Sequence, residues 1–208
     1  MSQVLFVKAN DRPIDQAVSV KLYQAFLDSY KANHPEDVIT ELDLFQVELP
    51  YMNSDMITGN FKAAKGYELT PAEKEASEVA SKYIDQFLAA DKVVFAFPLW
   101  NFTIPAVLHT YMDYLSQAGK TFRYTENGPV GLIPDKKIVL LNARGGVYSE
   151  GYAAGMEMSV NYVRNVFGLF GVKDITTVVV EGHNQFPDRA QDIISQGLQE
   201  AEKVAAGF

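Results

Sequence analysis

Apolar residues along this chain fall into two alternating rhythms. Val4-Leu5-Phe6-Val7 is an unbroken apolar run, as expected for a strand covered on both faces of a sheet. Lys92 to Pro98 repeats it, Ile138 to Leu141 and Ile175 to Val180 read as two further strands, and Val38 to Leu44 supplies a fifth. Between these runs the spacing becomes helical. Val18, Leu22 and Phe26 recur every four residues with Tyr23, Leu27 and Tyr30 beside them, until His34-Pro35 ends the helix. Thr70-Pro71-Ala72-Glu73 is a capping box that opens a helix running to about Ala90. Pro105 onward places Val107, Leu108, Met112 and Leu115 at helical spacing, and Glu157 to Phe170 and Pro187 to Ala206 read as two more helices. The alternation predicts an α/β fold, a doubly wound five-stranded parallel sheet with right-handed crossovers and helices on both faces.

Two segments depart from that rhythm. Phe45 to Leu69 carries no clear period and is longer than ordinary α/β connections, which marks it as functional or interfacial. In Thr121 to Ile133, Phe122, Tyr124, Val130 and Leu132 alternate with polar or small residues around Asn127-Gly128. That pattern predicts a β-hairpin outside the sheet.

Composition narrows the chemistry. A chain of 208 residues with 48% hydrophobic content suits one domain with one core, spanning 1–208. A formal net charge of −8 leaves no basic stripe for phosphates and argues against a nucleic-acid partner. The absence of cysteine excludes disulfides, thiolate catalysis and Cys-ligated metal centres, so redox chemistry here would need a bound organic cofactor. The longest apolar run, Val93 to Trp100, is too short for a bilayer, and the chain enters a strand at once, so a cytoplasmic protein without a membrane partner is expected. No His/Asp/Glu group has metal-ligand spacing and no G-x-S-x-G elbow occurs, so neither a metal nor a hydrolase is expected.

In an open doubly wound sheet, ligands bind beyond the carboxyl ends of the strands. That rule selects four loops before any motif is consulted. The first leads into a helix start able to hold a phosphate, with Asn10, Arg12, Gln16 and Ser19 as side-chain partners. It has neither G-x-G-x-x-G nor a P-loop, and Asp11 and Asp15 add charge of the wrong sign. An ordinary capped helix is the plain alternative. The apparent Walker ending Gly119-Lys120-Thr121 lacks its upstream glycine, because Tyr114 stands there.

The second loop, Pro98-Leu99-Trp100-Asn101-Phe102-Thr103-Ile104-Pro105, offers flat apolar surface and a carboxamide to a heteroaromatic ring, or else core aromatics around a turn. The third, Asn142-Ala143-Arg144-Gly145-Gly146-Val147-Tyr148, lets backbone amides approach a planar ligand, or makes a plain turn. The fourth, Glu181 to Pro187, holds His183 and Asn184, and a loop histidine is either a proton donor or an unremarkable surface residue.

Taken in order, Pro98-Leu99-Trp100-Asn101-Phe102, Thr121-Phe122-Arg123-Tyr124-Thr125 with Asn127-Gly128-Pro129, Ala143-Arg144-Gly145-Gly146 and Glu181-Gly182 resemble the successive blocks of the FMN-dependent NADH azoreductases, also described as NADH:quinone oxidoreductases. The resemblance covers essentially the whole chain. It implies a flavodoxin-like homodimer with two FMN sites, each lined by both subunits, taking electrons from NADH or NADPH and reducing quinones and azo compounds. By resemblance, Leu99 to Phe102 and Asn142 to Gly146 hold the isoalloxazine ring with Tyr148 at its rim. Tyr124, His183 and Asn184 border the substrate. The chemistry is carried by FMN, so no catalytic side chain is expected. The family's phosphate loop is serine-rich, and this chain departs from it most there; Gln16, Ala17, Val18 and Ser19 are expected to cradle the phosphate through backbone amides, with Arg12 offsetting the aspartates. A flavodoxin-type electron carrier without a nicotinamide site, and a non-catalytic ligand sensor, are the competing readings.

Overall fold

The computed structural model describes all 208 residues. Its main sheet consists of β1 (Gln3–Lys8), β2 (Val38–Asp43), β3 (Lys92–Pro98), β6 (Lys137–Arg144) and β7 (Asp174–Glu181), while β4 (Phe122–Thr125) and β5 (Gly128–Gly131) form a separate hairpin. The order is β2-β1-β3-β6-β7 and every pair in it is parallel. Residues within β1 show why both faces are apolar. Val4 and Phe6 join the core shared with α1 (Val18–Asn33) and α6 (Ala190–Gly207). Leu5 and Val7 join the larger core shared with α3 (Pro71–Ala89), α4 (Ala106–Leu115) and α5 (Val160–Leu169). Strand order reverses between β1 and β3, which is the point where open sheets of this kind generally take a ligand, flanked by the loops that follow the two strands.

The capping box holds as expected: Thr70 Oγ1 accepts from the Glu73 amide at 3.2 Å, and Glu73 Oε2 accepts from the Thr70 amide at 2.8 Å. Four boundaries differ from the sequence reading. The aperiodic segment contains a helix, α2 (Ser54–Lys65), capped by Asn53 and closed by Gly66 in the left-handed region. Its period was illegible because only Met56 and Gly59 of it are buried. Pairing with β3 and β7 extends β6 to Arg144, so Asn142 and Ala143 lie in the strand and not in the loop after it. The fifth helix begins at Val160, not Glu157, and a short 3-10 turn, Pro187–Arg189, precedes α6. The hairpin was expected around Asn127-Gly128, and its two-residue loop is Glu126-Asn127, since Thr125 pairs with Gly128.

Candidate active site

The first loop after β1 is organised by Asn10, which is buried. Its Oδ1 accepts from the Arg12 amide at 3.0 Å and its Nδ2 donates to Ser19 Oγ at 2.9 Å, pinning the loop to α1. The residue before α1 is Ala17, which has no side chain to cap with. Intrahelical bonding starts only with the Val20 and Lys21 amides donating to the Ala17 carbonyl. The amides of Ala17, Val18 and Ser19 therefore have no acceptor within the chain, and they sit at the positive end of a sixteen-residue helix dipole. A capping serine or aspartate would have consumed them. Arg12, Asp11, Asp15 and Gln16 are all exposed, so the structure leaves the carboxylates in solvent.

Beyond β3 the chain makes a two-residue reversal. Trp100 and Thr103 exchange backbone hydrogen bonds of 2.9 and 3.0 Å, and Asn101 and Phe102 between them have φ of 50° and 71°. This is the left-handed turn that normally takes Asn-Gly. Asparagine tolerates it, but a phenylalanine there stores about 1–3 kcal/mol of backbone strain. The strained turn presents Trp100 and Phe102, 38% and 41% exposed, as an apolar platform. Phe45, from the segment after β2, meets the Trp100 indole edge-on at 6.5 Å, and the Phe102 ring meets Tyr148 at 6.3 Å. Below the turn, the Met158 amide donates to the Phe102 carbonyl at 2.8 Å, the Thr103 hydroxyl donates to the Met158 carbonyl at 3.3 Å, and His109 Nε2 lies 3.2 Å from the same hydroxyl.

The loop after β6 is clamped by the loop after β7. The Asn184 and Gln185 amides donate to the Gly145 carbonyl, Gly182 donates to the Arg144 and Gly146 carbonyls, and Gln185 Oε1 accepts from the Val147 amide. A Cβ on Gly145 would stand 2.6 Å from Asn184 Nδ2, so any larger residue here would have to displace the Asn184 side chain. The amides of Gly145 and Gly146 have no acceptor within the chain.

Two residues read as ring partners turn out to serve the scaffold with their side chains. Asn142 is fully buried, with Nδ2 donating to the Phe97 carbonyl at 3.0 Å and Oδ1 accepting from Arg144 Nε at 2.7 Å. The Arg144 guanidinium points inward, 3.5 Å from Glu157 and 3.4 Å from Glu181. Burial alone would raise the Glu157 pKa, but the Ser159 hydroxyl, the Val160 and Asn161 amides and Arg144 together hold it below the ordinary value. His183 lies near Lys21 of α1; burial first, and then that lysine, lower its pKa and favour the neutral ring. Its Nδ1 is buried without a partner. Tyr124 stands 75% exposed on the hairpin, its ring edge-on to Phe122.

Sequence reading passed over Glu157, Thr103 and His109. The spacing predicts Glu157 as the first residue of a helix, whereas in the structure it lies before Val160 and its carboxylate accepts from the Val160 and Asn161 amides. Nothing in the sequence marks Thr103 and His109 as partners, because their contact depends on how Ile104 and Pro105 lead into the first turn of α4.

A sheet that reverses order beside an uncapped helix start belongs to the nucleotide-binding class of open α/β proteins. Within that class this chain belongs to the family described as having the flavodoxin-like fold, whose model matches residues 2–205. It is 67% identical to an FMN-dependent NADH:quinone oxidoreductase of Bacillus cereus, with the whole of both chains aligned. It superposes on the crystal structure of an azoreductase from Bacillus anthracis with a TM-score of 0.98, at 67% identity and covering 100% of each chain. An FMN-dependent NADH-azoreductase of Bacillus anthracis solved in complex with FMN is 29% identical, with a TM-score of 0.87 and coverage of 99% of this chain and 98% of that one. The carboxyl-end loops of this chain fit the same cofactor: unpaired amides at the start of α1 suit a phosphate, and the Trp100–Phe102 platform with the free Gly145 and Gly146 amides suits a planar ring.

Proposed function

We infer that this chain is an FMN-dependent NADH:quinone oxidoreductase that also reduces azo compounds. The observation that carries the reading is that the carboxyl end of the sheet bears both free helix-start amides and the exposed rings of Trp100 and Phe102. Bound FMN supplies acceptance and donation of two electrons as hydride. The chain's part is positioning. The Ala17, Val18 and Ser19 amides would hold the phosphate, Trp100 and Phe102 would cover the ring, and the Gly145 and Gly146 amides, with Tyr148 beside them, would supply donors that stabilise the negative charge of the reduced ring. The comparisons favour an enzyme over a flavodoxin-type carrier, since the high-identity relatives bear names that specify NADH and quinone.

The active form in this reading is a homodimer, a single flavodoxin-like domain per chain, working in the cytoplasm where NADH is available. The hairpin supports it. β4 and β5 follow the carboxyl end of α4 and dock on Phe170 and Gly171 after α5, at the opposite edge of the sheet from the ring loops. Tyr124 thus reaches a ring site only if a second copy supplies one. Phe61 and Tyr67, 6.5 Å apart and each more than half exposed, add apolar surface that a second copy would cover.

Purified protein is expected to release about one FMN per chain on heating. In stopped flow, NADH alone should bleach the flavin and a second mix with benzoquinone or an azo dye should restore it, with parallel double-reciprocal plots, because nicotinamide and acceptor take turns on one exposed ring face. Release of FAD or of no flavin, or bleaching that requires the acceptor, would sink the reading.

The strained turn allows a second check. Phe102→Gly gives the reversal the residue it prefers, so the FMN-free protein is expected to gain about 1 kcal/mol in denaturant unfolding. The same change removes half the aromatic platform, so FMN affinity is expected to fall. A variant less stable than the parent, or one that binds FMN as tightly, contradicts the assignment of strain to ligand presentation.

A further inference from the structure

Arg144 is the meeting point of contacts that the ring loops do not make with each other. On one side, Glu181 at the end of β7 accepts from the Tyr148 amide at 2.9 Å, the Ser149 amide at 3.1 Å and the Ser149 hydroxyl, and lies 3.4 Å from Arg144 Nη1. On the other, Glu157 lies 3.5 Å from Arg144 Nη2 and accepts from the Ser159, Val160 and Asn161 amides at 2.8 to 3.0 Å. The residue between Glu157 and Ser159 is Met158, whose amide and carbonyl hold the strained Asn101–Phe102 turn. Arg144 and Glu157 side chains are only 6% and 5% exposed, so the attraction between them is weakly screened.

Packing links the two loops at one point, where the Phe102 ring meets Tyr148 at 6.3 Å. Beside it, a cavity of about 360 Å³ is lined by Tyr148, Ser149, Arg144, Glu157, Asn161 and Glu181. A loop spanning such a space is fixed by its polar ties, and those ties run to Glu181. Arg144 carries one positive charge for two carboxylates, so each acid also depends on its amide donors. That arrangement makes the two ring loops interdependent, because moving one carboxylate changes the field at the other.

We propose that Glu181 and Arg144 are positioning residues that, through Glu157, set the Tyr148 loop and the Asn101–Phe102 turn at one fixed spacing and thereby fix the affinity and reduction potential of the bound flavin. This rests on the FMN reading above. Neither side chain need touch the cofactor. It also gives Arg144 a different part from the one the resemblance implies, since its guanidinium is committed to the scaffold and only its backbone faces the loop.

The test compares wild type, Glu181→Ala and Glu181→Gln by FMN fluorescence titration of the FMN-free dimer, by amide hydrogen exchange of segments 101–103 and 145–149, and by the midpoint potential of the bound flavin. Glu181→Ala is expected to raise the FMN dissociation constant about ten- to a hundredfold, the scale of hydrogen bonds to a charged group. Exchange should quicken in both segments and the potential should become more negative, as donors near the reduced ring lose their placement. Glu181→Gln keeps an oxygen acceptor for the two amides and should recover most of the affinity. If Glu181→Ala does not fold, Ser149→Ala, which removes one tie, is expected to show the same pattern at about threefold. Faster exchange confined to 145–149 with an unchanged potential would reduce Glu181 to a local loop tie and overturn the proposal. Wild-type values throughout would overturn it equally. A wild-type protein that takes up no FMN would instead overturn the function, and the exchange of the two segments would then decide whether they are coupled.

Discussion

Val18→Pro is expected to weaken FMN binding about ten- to a hundredfold while leaving the fold as stable as before, because it deletes one backbone donor and little else. Val18 is the first residue of α1, the one helical position where proline's fixed φ fits and its missing N–H is not needed by the helix. Ala17 before it already has φ −132° and ψ 113°, the extended conformation that a following proline demands. The lost donor is one of three amides that have no acceptor in the chain. Val18→Ala, which keeps the N–H, serves as the control and should bind as wild type. Equal FMN affinity in the proline variant, measured by fluorescence titration alongside denaturant unfolding, would mean that the phosphate is not held at this helix start.

Gly131→Ala is expected to cost about 3 kcal/mol of stability and to dislodge the hairpin. A Cβ at this position would lie 2.2 Å from both the Gly171 nitrogen and the Phe170 carbonyl carbon. Those are backbone atoms, so no rotamer change can make room. The neighbouring ties would be lost with it: the Ile133 amide donating to the Phe170 carbonyl at 3.1 Å, and the stacked Phe122 and Phe170 rings at 6.4 Å. Because the hairpin is the element proposed to complete a second copy's site, light scattering should show a weakened dimer together with the lowered unfolding midpoint. An alanine variant with wild-type stability would show that the hairpin docks differently from the close glycine contact described here.

The three central strands were legible because each is buried on both faces and therefore apolar with little interruption, as Val4 to Val7 and Val93 to Phe97 show, whereas the edge strands β2 and β7 are more polar and largely exposed on one side. The α3 start was legible because a capping box is written in four consecutive residues. Helix α2 was not, since burial of Met56 and Gly59 alone leaves no stripe, although Asn53 before it and Gly66 after it are ordinary start and stop residues. The site loops could be chosen from the sequence by a rule about strand ends. Their chemistry could be read only as types: aromatic, amide, glycine, arginine.

What the sequence determined by itself is thus the parallel sheet, the end of it proposed here to hold the ligand and, by ordered resemblance, the kind of cofactor. Those follow from local patterns, where each residue's preference depends on near neighbours. Tertiary structure alone decided that Arg144 faces Glu157 and Glu181, that Asn101 and Phe102 are strained, and that Tyr124 lies on a hairpin outside the main sheet, away from its own chain's ring loops. Each of these depends on groups brought together from distant parts of the chain. A guanidinium turns toward whichever buried carboxylates the packing delivers, and that delivery, with the low dielectric that makes the pairing decisive, exists only once the fold is closed.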